Sequence, residues 1–454
     1  MKKGMFFALA ASSLLFCACS SDDAVVSTVG QNEAVQQIVL QVASSGDGLT
    51  TRAGRPLYSS QALQTIQNVR VIIYKNETGG GEKTIVKDEQ KDWKTSTMYT
   101  NHGRQLTLTY KGDNRLPAGN YKVMAVGYSD NSDYIYDLNV AGTDALTGQT
   151  YSNDITATLK TGKVAEEVFA GDAALTIGDD KKITNLTQGE EDGLDVTLHR
   201  QVAGSFGYFC DIPAKVGDKT AKTLRLVVRG KNDKLTFNNF NSSFTAAGAT
   251  GSTIKYCVNG STSTGLALAP DAKFNNGDNG YVLYSIDLDT WFPGGDHNKD
   301  GLLNADDTNW IHPKSVKTQV VKGSVFGSNF VIPFALTHEK STMELQLLDA
   351  EGNIIKTWTV SIPAKDVNDD NTNGNVADES ASIFNVVRNH MYNLGVKPSN
   401  GGTKDPDPSN PNPDPKPDPD KPDPDKPEDL SKSQNLILKV NDNWEAIHKL
   451  VLGD

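Results

Sequence analysis

Basic charge is scarce in this sequence: 44 Lys and Arg stand against 56 Asp and Glu, a formal net charge of -12 with a pI near 5.1. No basic stripe exists to neutralise phosphates, which argues against a nucleic-acid partner. Aromatic residues make up 7% of the chain and only five are tryptophan, with Trp291, Trp310 and Trp358 in the second half, so the ring platforms expected of a glycan binder are thin. There is no apolar run beyond the first few residues that suggests a transmembrane helix. Cysteine is also rare. Of four, Cys17 and Cys19 fall at the end of that first run, leaving Cys210 and Cys257. In an oxidising compartment these two can form one bridge; otherwise they are small buried hydrophobes too far apart to bond.

Enzyme signatures are missing as well. The seven histidines contribute no HExxH pair. Ala203-Gly204-Ser205-Phe206-Gly207 misses a nucleophile elbow by its first glycine and lies in a strand pattern. Gly79-Gly80-Gly81-Glu82-Lys83-Thr84 has Glu82 before its lysine and no helix after it, so it is a hairpin turn and not a phosphate loop. Acidic neighbours such as Asp306 and Asp307 cannot be set across a sugar from sequence alone. The chain is therefore expected not to be an enzyme.

The N-terminus carries an export signal. Lys2 and Lys3 precede an apolar run from Met5 to Leu15, too short for a stable span. A lipoprotein signal needs a small residue before the acylated cysteine; Ala18-Cys19 supplies it and Phe16-Cys17 does not, which predicts a signal over 1–18 and lipidation at Cys19. The Ser20-Ser21-Asp22-Asp23 start of the mature chain resembles the surface-export tag of Bacteroidetes lipoproteins. An outer-membrane anchor at the cell surface follows as an expectation.

The dominant period of the mature chain is two, the mark of half-buried strands. Leu106-Thr107-Leu108-Thr109-Tyr110 alternates; Val69, Val71 and Ile73 share one face, and Leu224, Leu226 and Val228 share another. Met343–Leu347 runs through Asp349-Ala350-Glu351-Gly352-Asn353 and out along Trp358, Val360 and Ile362, a strand, turn, strand hairpin. An all-β fold is predicted, with short helices at most, built as stacked antiparallel sheets because strands of this length must bury a face. The expected pieces are a tether and first strand over 19–55, β domains over 56–198 and 199–402, a linker over 403–429 and a C-terminal segment over 430–454.

The linker is almost wholly Pro, Asp, Lys and Asn and cannot bury a core; extended, it reaches roughly 80 Å at about 3.1 Å per residue. Beyond it stands Leu436-Ile437-Leu438-Lys439-Val440, an apolar strand. A lone strand is stable only against a sheet edge. That edge can belong to a neighbouring molecule, by strand addition, or to the strand's own domain. The last residues, Trp444, Ile447, His448 and Val451, also suit a short amphipathic helix.

Four segments, in order, resemble the fimbrillins of Bacteroidetes type V pili: Ile66–Tyr74, like a first core strand; Leu116-Pro117-Ala118-Gly119-Asn120-Tyr121, like a turn into the next; Leu198–Ala203, like the entry to a second domain; and Val386–Tyr392, like the run before the closing strands. That resemblance implies two tandem transthyretin-like β-sandwich domains and a lipoprotein precursor cut after an arginine, which removes the first strand. A C-terminal donor strand from another subunit then fills the groove. Here Ala34–Ala43 would be the removable strand, Arg52 and Arg55 the cleavage sites, and Leu436, Leu438 and Val440 the donor. The partners implied are other pilin subunits, with adhesion as the purpose and its surface ligand unspecified. The long Pro-Asp linker departs from a simple stalk pattern, so a tip or anchor subunit, or a non-polymerising lipoprotein that binds glycan or protein, stays open.

A separate signal is Asp296-His297-Asn298-Lys299-Asp300-Gly301-Leu302-Leu303-Asn304-Ala305-Asp306-Asp307. It fits a calcium loop, with Asp296, Asn298 and Asp300 as oxygen ligands, Gly301 at the sharp turn, the Leu302 carbonyl and Asp307 at the twelfth place. Ca²⁺ is the expected cofactor. No second such loop follows at the spacing of a dockerin, and the Asp369–Ser380 run lacks the final carboxylate.

Overall fold

The computed structural model describes residues 35–42, 66–76, 82–93, 98–100, 103–142, 144–151, 155–187, 193–237, 244–245, 253–254, 260–261, 268–316, 320–337, 342–361, 383–386, 388, 391–396, 426–432 and 435–441. More than half of these residues lie in strands, and the helical turns among them include the 3-10 turns Gly112–Asn114 and Leu288–Thr290. The fold class is all-β, as the two-residue period predicts.

The first twelve strands are β1 (Gln36–Val42), β2 (Asn68–Asn76), β3 (Lys83–Asp92), β4 (Met98–Thr100), β5 (Gly103–Tyr110), β6 (Gly119–Tyr128), β7 (Tyr134–Tyr136), β8 (Thr150–Tyr151), β9 (Thr156–Leu159), β10 (Phe169–Ile177), β11 (Leu194–Arg200) and β12 (Ala203–Cys210). Nine of them form one sheet in the order β4-β5-β1-β11-β10-β6-β2-β3-β8. Its neighbours are antiparallel except β1 and β11, which are parallel.

Alternation explains one face of this sheet. Val69, Val71 and Ile73 pack with Leu106, Leu108, Tyr121, Val123 and Val196 in a single cluster. The opposite face is buried too: Ile72, Tyr74, Met124 and Val126 belong to a larger cluster that also holds Leu224, Leu226, Phe206 and Trp358. Strands covered on both faces read as continuous apolar runs, which is why Val69–Tyr74 carries only Arg70 as a polar interruption.

Arg70 is itself 3% exposed. Its guanidinium donates to both oxygens of Asp88 on β3, at 2.6 and 2.7 Å, and to the carbonyls of Val140, Gly142 and Asp144. The forked geometry lets one side chain tie a sheet strand to the 140–146 loop; the Asp88 bond holds the guanidinium pKa above its ordinary value although burial pulls it down.

Beyond residue 200 the strands fall into further sheets. One sets Val325–Val331, β12, Met391–Leu394 and Lys439–Asn441 side by side, with Glu428–Asp429 also on β12. Another runs Ala272–Lys273, Asn279–Asp287, Thr223–Val228, Thr342–Leu348, Ile354–Ser361 and Asn435–Ile437. The hairpin read from 343–362 is present, with Met343 opposite Val360 and Asp349 capping its turn through Asn353. The break expected at 198/199 falls within β11, which runs on to Arg200, and β9 pairs with Lys234–Thr236 while one buried cluster runs across the β11–β12 connection.

Candidate functional site

The position of β1 singles it out. It lies between β5 and β11, with Ile38 opposite Leu108 on one side and Leu194 on the other, and Leu40 opposite Leu106 and Val196. Ile38 and Leu40 are 0% exposed and Val39 is 5% exposed. Gln36 is buried on the same face as Ile38 and Leu40. Its side chain accepts from the Leu116 N–H at 2.8 Å and donates to the carbonyls of Leu116 and Lys181, each at 3.0 Å. One amide thus satisfies three backbone groups that would be costly to leave unpaired. At the other end the Gln41 side chain donates to Asp195 Oδ2 and accepts from Gln105, both at 3.0 Å.

Gly193 fits the entry to β11: with φ of +144°, a Cβ there would lie 2.6 Å from the Gln37 carbonyl oxygen. Without β1, the ladder edges of β5 and β11 and an apolar slot between them are what remains. The strand expected as removable, Ala34–Ala43, therefore coincides with a strand paired on both sides. Arg52, Arg55 and Cys19 lie outside the described residues.

The C-terminal strand is paired within its own chain. Lys426 bridges Val396 through reciprocal backbone bonds of 2.7 and 2.9 Å, and the Leu430 N–H donates to the Cys210 carbonyl at 3.1 Å. Asn435–Ile437 then runs parallel to Thr359–Ser361, the Leu438 N–H donates to the Ser361 carbonyl at 3.1 Å, and Lys439–Asn441 crosses to pair antiparallel with Met391–Asn393. Leu436 and Leu438 are buried at 2% and 0% exposure, whereas Ile437 between them is 53% exposed. The alternation expected for Leu436 and Leu438 is seen, on an edge that its own chain supplies. Val440 contributes its backbone opposite Tyr392; the 442–454 segment lies outside the described residues.

Cys210 is half-buried and its Sγ lies 3.2 Å from Asp211 Oδ2. Burial, with the Asp211 carboxylate beside it, pushes the thiol up to about 12, so it stays protonated and a poor nucleophile at neutral pH. Its expected partner Cys257 lies outside the described residues.

The 296–307 loop is drawn together by its own backbone. Asp296 accepts from the Lys299 and Gly301 N–H groups at 2.6 and 2.8 Å, and Asp307, fully buried, accepts from His297, Asn298 and Asn304 at 2.7 to 3.2 Å. Asp300 accepts from the Asn304 amide and the Leu302 N–H, which hold its carboxyl below the usual range. Gly301 takes the left-handed turn, φ +91°, that the sixth place of a calcium loop needs. Among the described residues no three His, Cys, Asp or Glu side chains gather into a metal-holding group.

The polar side chains that fix these features were not foreseen. Gln36, Arg70, Glu167 and Arg200 are all buried; only Arg70 interrupts an apolar run, and nothing local marks the other three.

No protein-family model matches the chain, and no curated protein sequence is similar to it. Solved structures are. A fimbrilin from Porphyromonas gingivalis W83 is 12% identical, with 90% of this chain and 97% of that one covered at a TM-score of 0.34. A fimbrial assembly protein from Parabacteroides distasonis ATCC 8503 is 14% identical, covering 80% and 91% at 0.33. A candidate adhesin from Bacteroides ovatus is 10% identical, covering 71% and 75% at 0.36. With TM-scores all below 0.5, the functional reading stands on this chain's own residues.

Proposed function

We propose that this chain is a pilus subunit, exported as a lipoprotein acylated at Cys19 and matured on the cell surface by cleavage after Arg52 or Arg55. Cleavage frees β1, and the C-terminal strand of another copy fills the slot between β5 and β11. The observation that carries this reading is that β1 buries Ile38 and Leu40 in the core, yet joins the next described strand only through the 43–65 segment that contains both arginines. A cut there turns an internal strand into a separable one.

The surface form is expected to begin at Ala53 or Pro56. Mass spectrometry of protein recovered from cells checks this. Chains that all start at a lipidated Cys19 would overturn the maturation step and leave the alternative of a lipoprotein that does not polymerise.

Ca²⁺ binding at the 296–307 loop is part of the same proposal. The left-handed turn at Gly301 supports it, together with the run of Asp296, Asn298 and Asp300 oxygens on one loop. The ion would stiffen the excursion from Trp291 to Trp310 without being needed for the sheets. Calorimetric titration should show heat with the wild type that disappears in the Asp296→Ala, Asp300→Ala double variant. The same response from both proteins removes Ca²⁺ from the proposal.

A further inference from the structure

The strand that fills the slot and the C-terminal strand are two versions of one sequence. Aligned without a gap, Gln36-Gln37-Ile38-Val39-Leu40-Gln41-Val42 stands against Gln434-Asn435-Leu436-Ile437-Leu438-Lys439-Val440. The first, fifth and seventh positions are identical, the second is an amide in both, and the third and fourth are branched aliphatics. Only the sixth changes class, from Gln41 to Lys439.

Docking within the chain treats the two segments differently, and Gln434 itself lies outside the described residues. The C-terminal segment breaks at Leu438 and divides between two sheets, whereas β1 runs unbroken between two neighbours. Alternation alone would be met by many apolar strands. It would not require glutamine at the position where β1 buries one.

We infer that the C-terminal strand of a second copy enters the slot with Gln434 in the place of Gln36, running parallel to β11 and antiparallel to β5. This rests on the strand exchange proposed above and adds its register, its direction and the residues that set its specificity.

In that register the Gln434 amide accepts from the Leu116 N–H and donates to the Leu116 and Lys181 carbonyls, as Gln36 does. Leu436 and Leu438 replace the fully buried Ile38 and Leu40. Lys439 arrives where the Gln41 amide lies 3.0 Å from Asp195 Oδ2, so a neutral contact becomes an ammonium facing a carboxylate, an attraction that β1 lacks. A slip of one residue turns Leu436 and Leu438 outward. A slip of two puts either Leu436 against the Leu116 backbone or Gln434 into the apolar place of Ile38. The amide at one end and the ion pair at the other thus select one alignment.

Cysteine cross-linking in the full chain tests this. With Cys210 and Cys257 changed to Ser, one preparation carries Thr107→Cys and another Ile437→Cys; both are cleaved after arginine and mixed. Val39 and Thr107 are directly opposed across β1 and β5, and Thr107 is exposed, so the inferred register sets residue 437 opposite residue 107 at a spacing a disulfide can span. The expected product is a heterodimer joined 107 to 437, identified by peptide mapping. Gln434→Glu, which can no longer donate to two carbonyls, should cut ladder formation by about tenfold, while Asn435→Asp should leave it within about twofold because its place in the slot is the partly exposed one of Gln37. Ladders that form with residue 107 bonded preferentially to Asn435→Cys or Lys439→Cys overturn the register and leave strand exchange standing. Absence of any ladder from the cleaved wild type overturns both.

Discussion

Removing residues 431–454 is expected to abolish polymer formation and also to weaken the monomer, the second effect being large because the strand is docked on its own chain. Leu436 and Leu438 are buried in the same cluster as Trp358, Val360 and Met391. At about 1.5 to 3 kcal/mol for each fully buried leucine, the two contribute roughly 3 to 6 kcal/mol as an upper estimate. That is a considerable part of the 5–15 kcal/mol typical of a folded protein. Leu438→Asp should reproduce most of the loss, since it both removes a buried side chain and introduces a carboxylate with no partner. Ile437→Asp should cost under about 1 kcal/mol in the monomer, because that side chain is 53% exposed. Urea unfolding followed by circular dichroism reads stability, and mild-detergent gels of arginine-cleaved protein read laddering. Unchanged stability after truncation would contradict docking within the chain; ladders from a truncated, folded protein would sink strand exchange.

A second large effect is expected at the connection between β11 and β12. Arg200 Nε lies 2.5 Å from Glu167 Oε1, and the two side chains are 2% and 0% exposed. The guanidinium also sits 4.8 Å over the Phe169 ring. Next to it the buried Gln201 amide donates to the carbonyls of Ala170 and His199, and its oxygen accepts from Arg388 at 3.4 Å. Arg200→Met leaves a buried carboxylate and Glu167→Leu leaves a buried guanidinium, so each alone should cost about 3–5 kcal/mol. The double variant should recover most of this, since a buried ion pair replaced by apolar groups of similar volume is often close to neutral. A double-mutant cycle measured by chemical denaturation decides it. Single variants within about 1 kcal/mol of wild type would mean that water reaches the pair and screens it.

How far the sequence reveals the fold depends on what each residue has to report. Leu106, Leu108 and Tyr110, or Leu224, Leu226 and Val228, announce a strand and its inward face because burial on one side leaves a period of two. The 343–362 hairpin is legible for the same reason, with Asp349 and Gly352 marking its turn. Ile72 and Tyr74 are different: the unbroken apolar run marks their face as buried too, but nothing local says which strands, far away in sequence, cover it. The pairing of Ile38 with Leu194 is equally silent, since an apolar strand is satisfied by any edge with a matching face. The same holds for Leu436 and Leu438, whose alternation could be read but whose partner could not. Gln36, Arg70 and Arg200 look like surface residues in composition and become core residues only because fixed acceptors lie within reach. In the calcium-like loop the ligand pattern is visible from spacing, while the grip of Asp307 on three backbone N–H groups is a property of the folded backbone.

The short tether from β1 to β2 has a consequence for competition. While residues 43–65 are intact, β1 meets its slot as part of the same molecule, at an effective concentration on the order of millimolar. A donor strand from a neighbour must outcompete it from solution and starts at a disadvantage, however well it fits. On the proposed scheme proteolysis would leave the contacts around Ile38 and Leu40 as they were but cancel that advantage, because the detached strand is no longer held by the chain beside its own slot. On that scheme the cut would act as a timer: subunits would stay inert through export and become competent at the surface, where neighbouring copies are crowded.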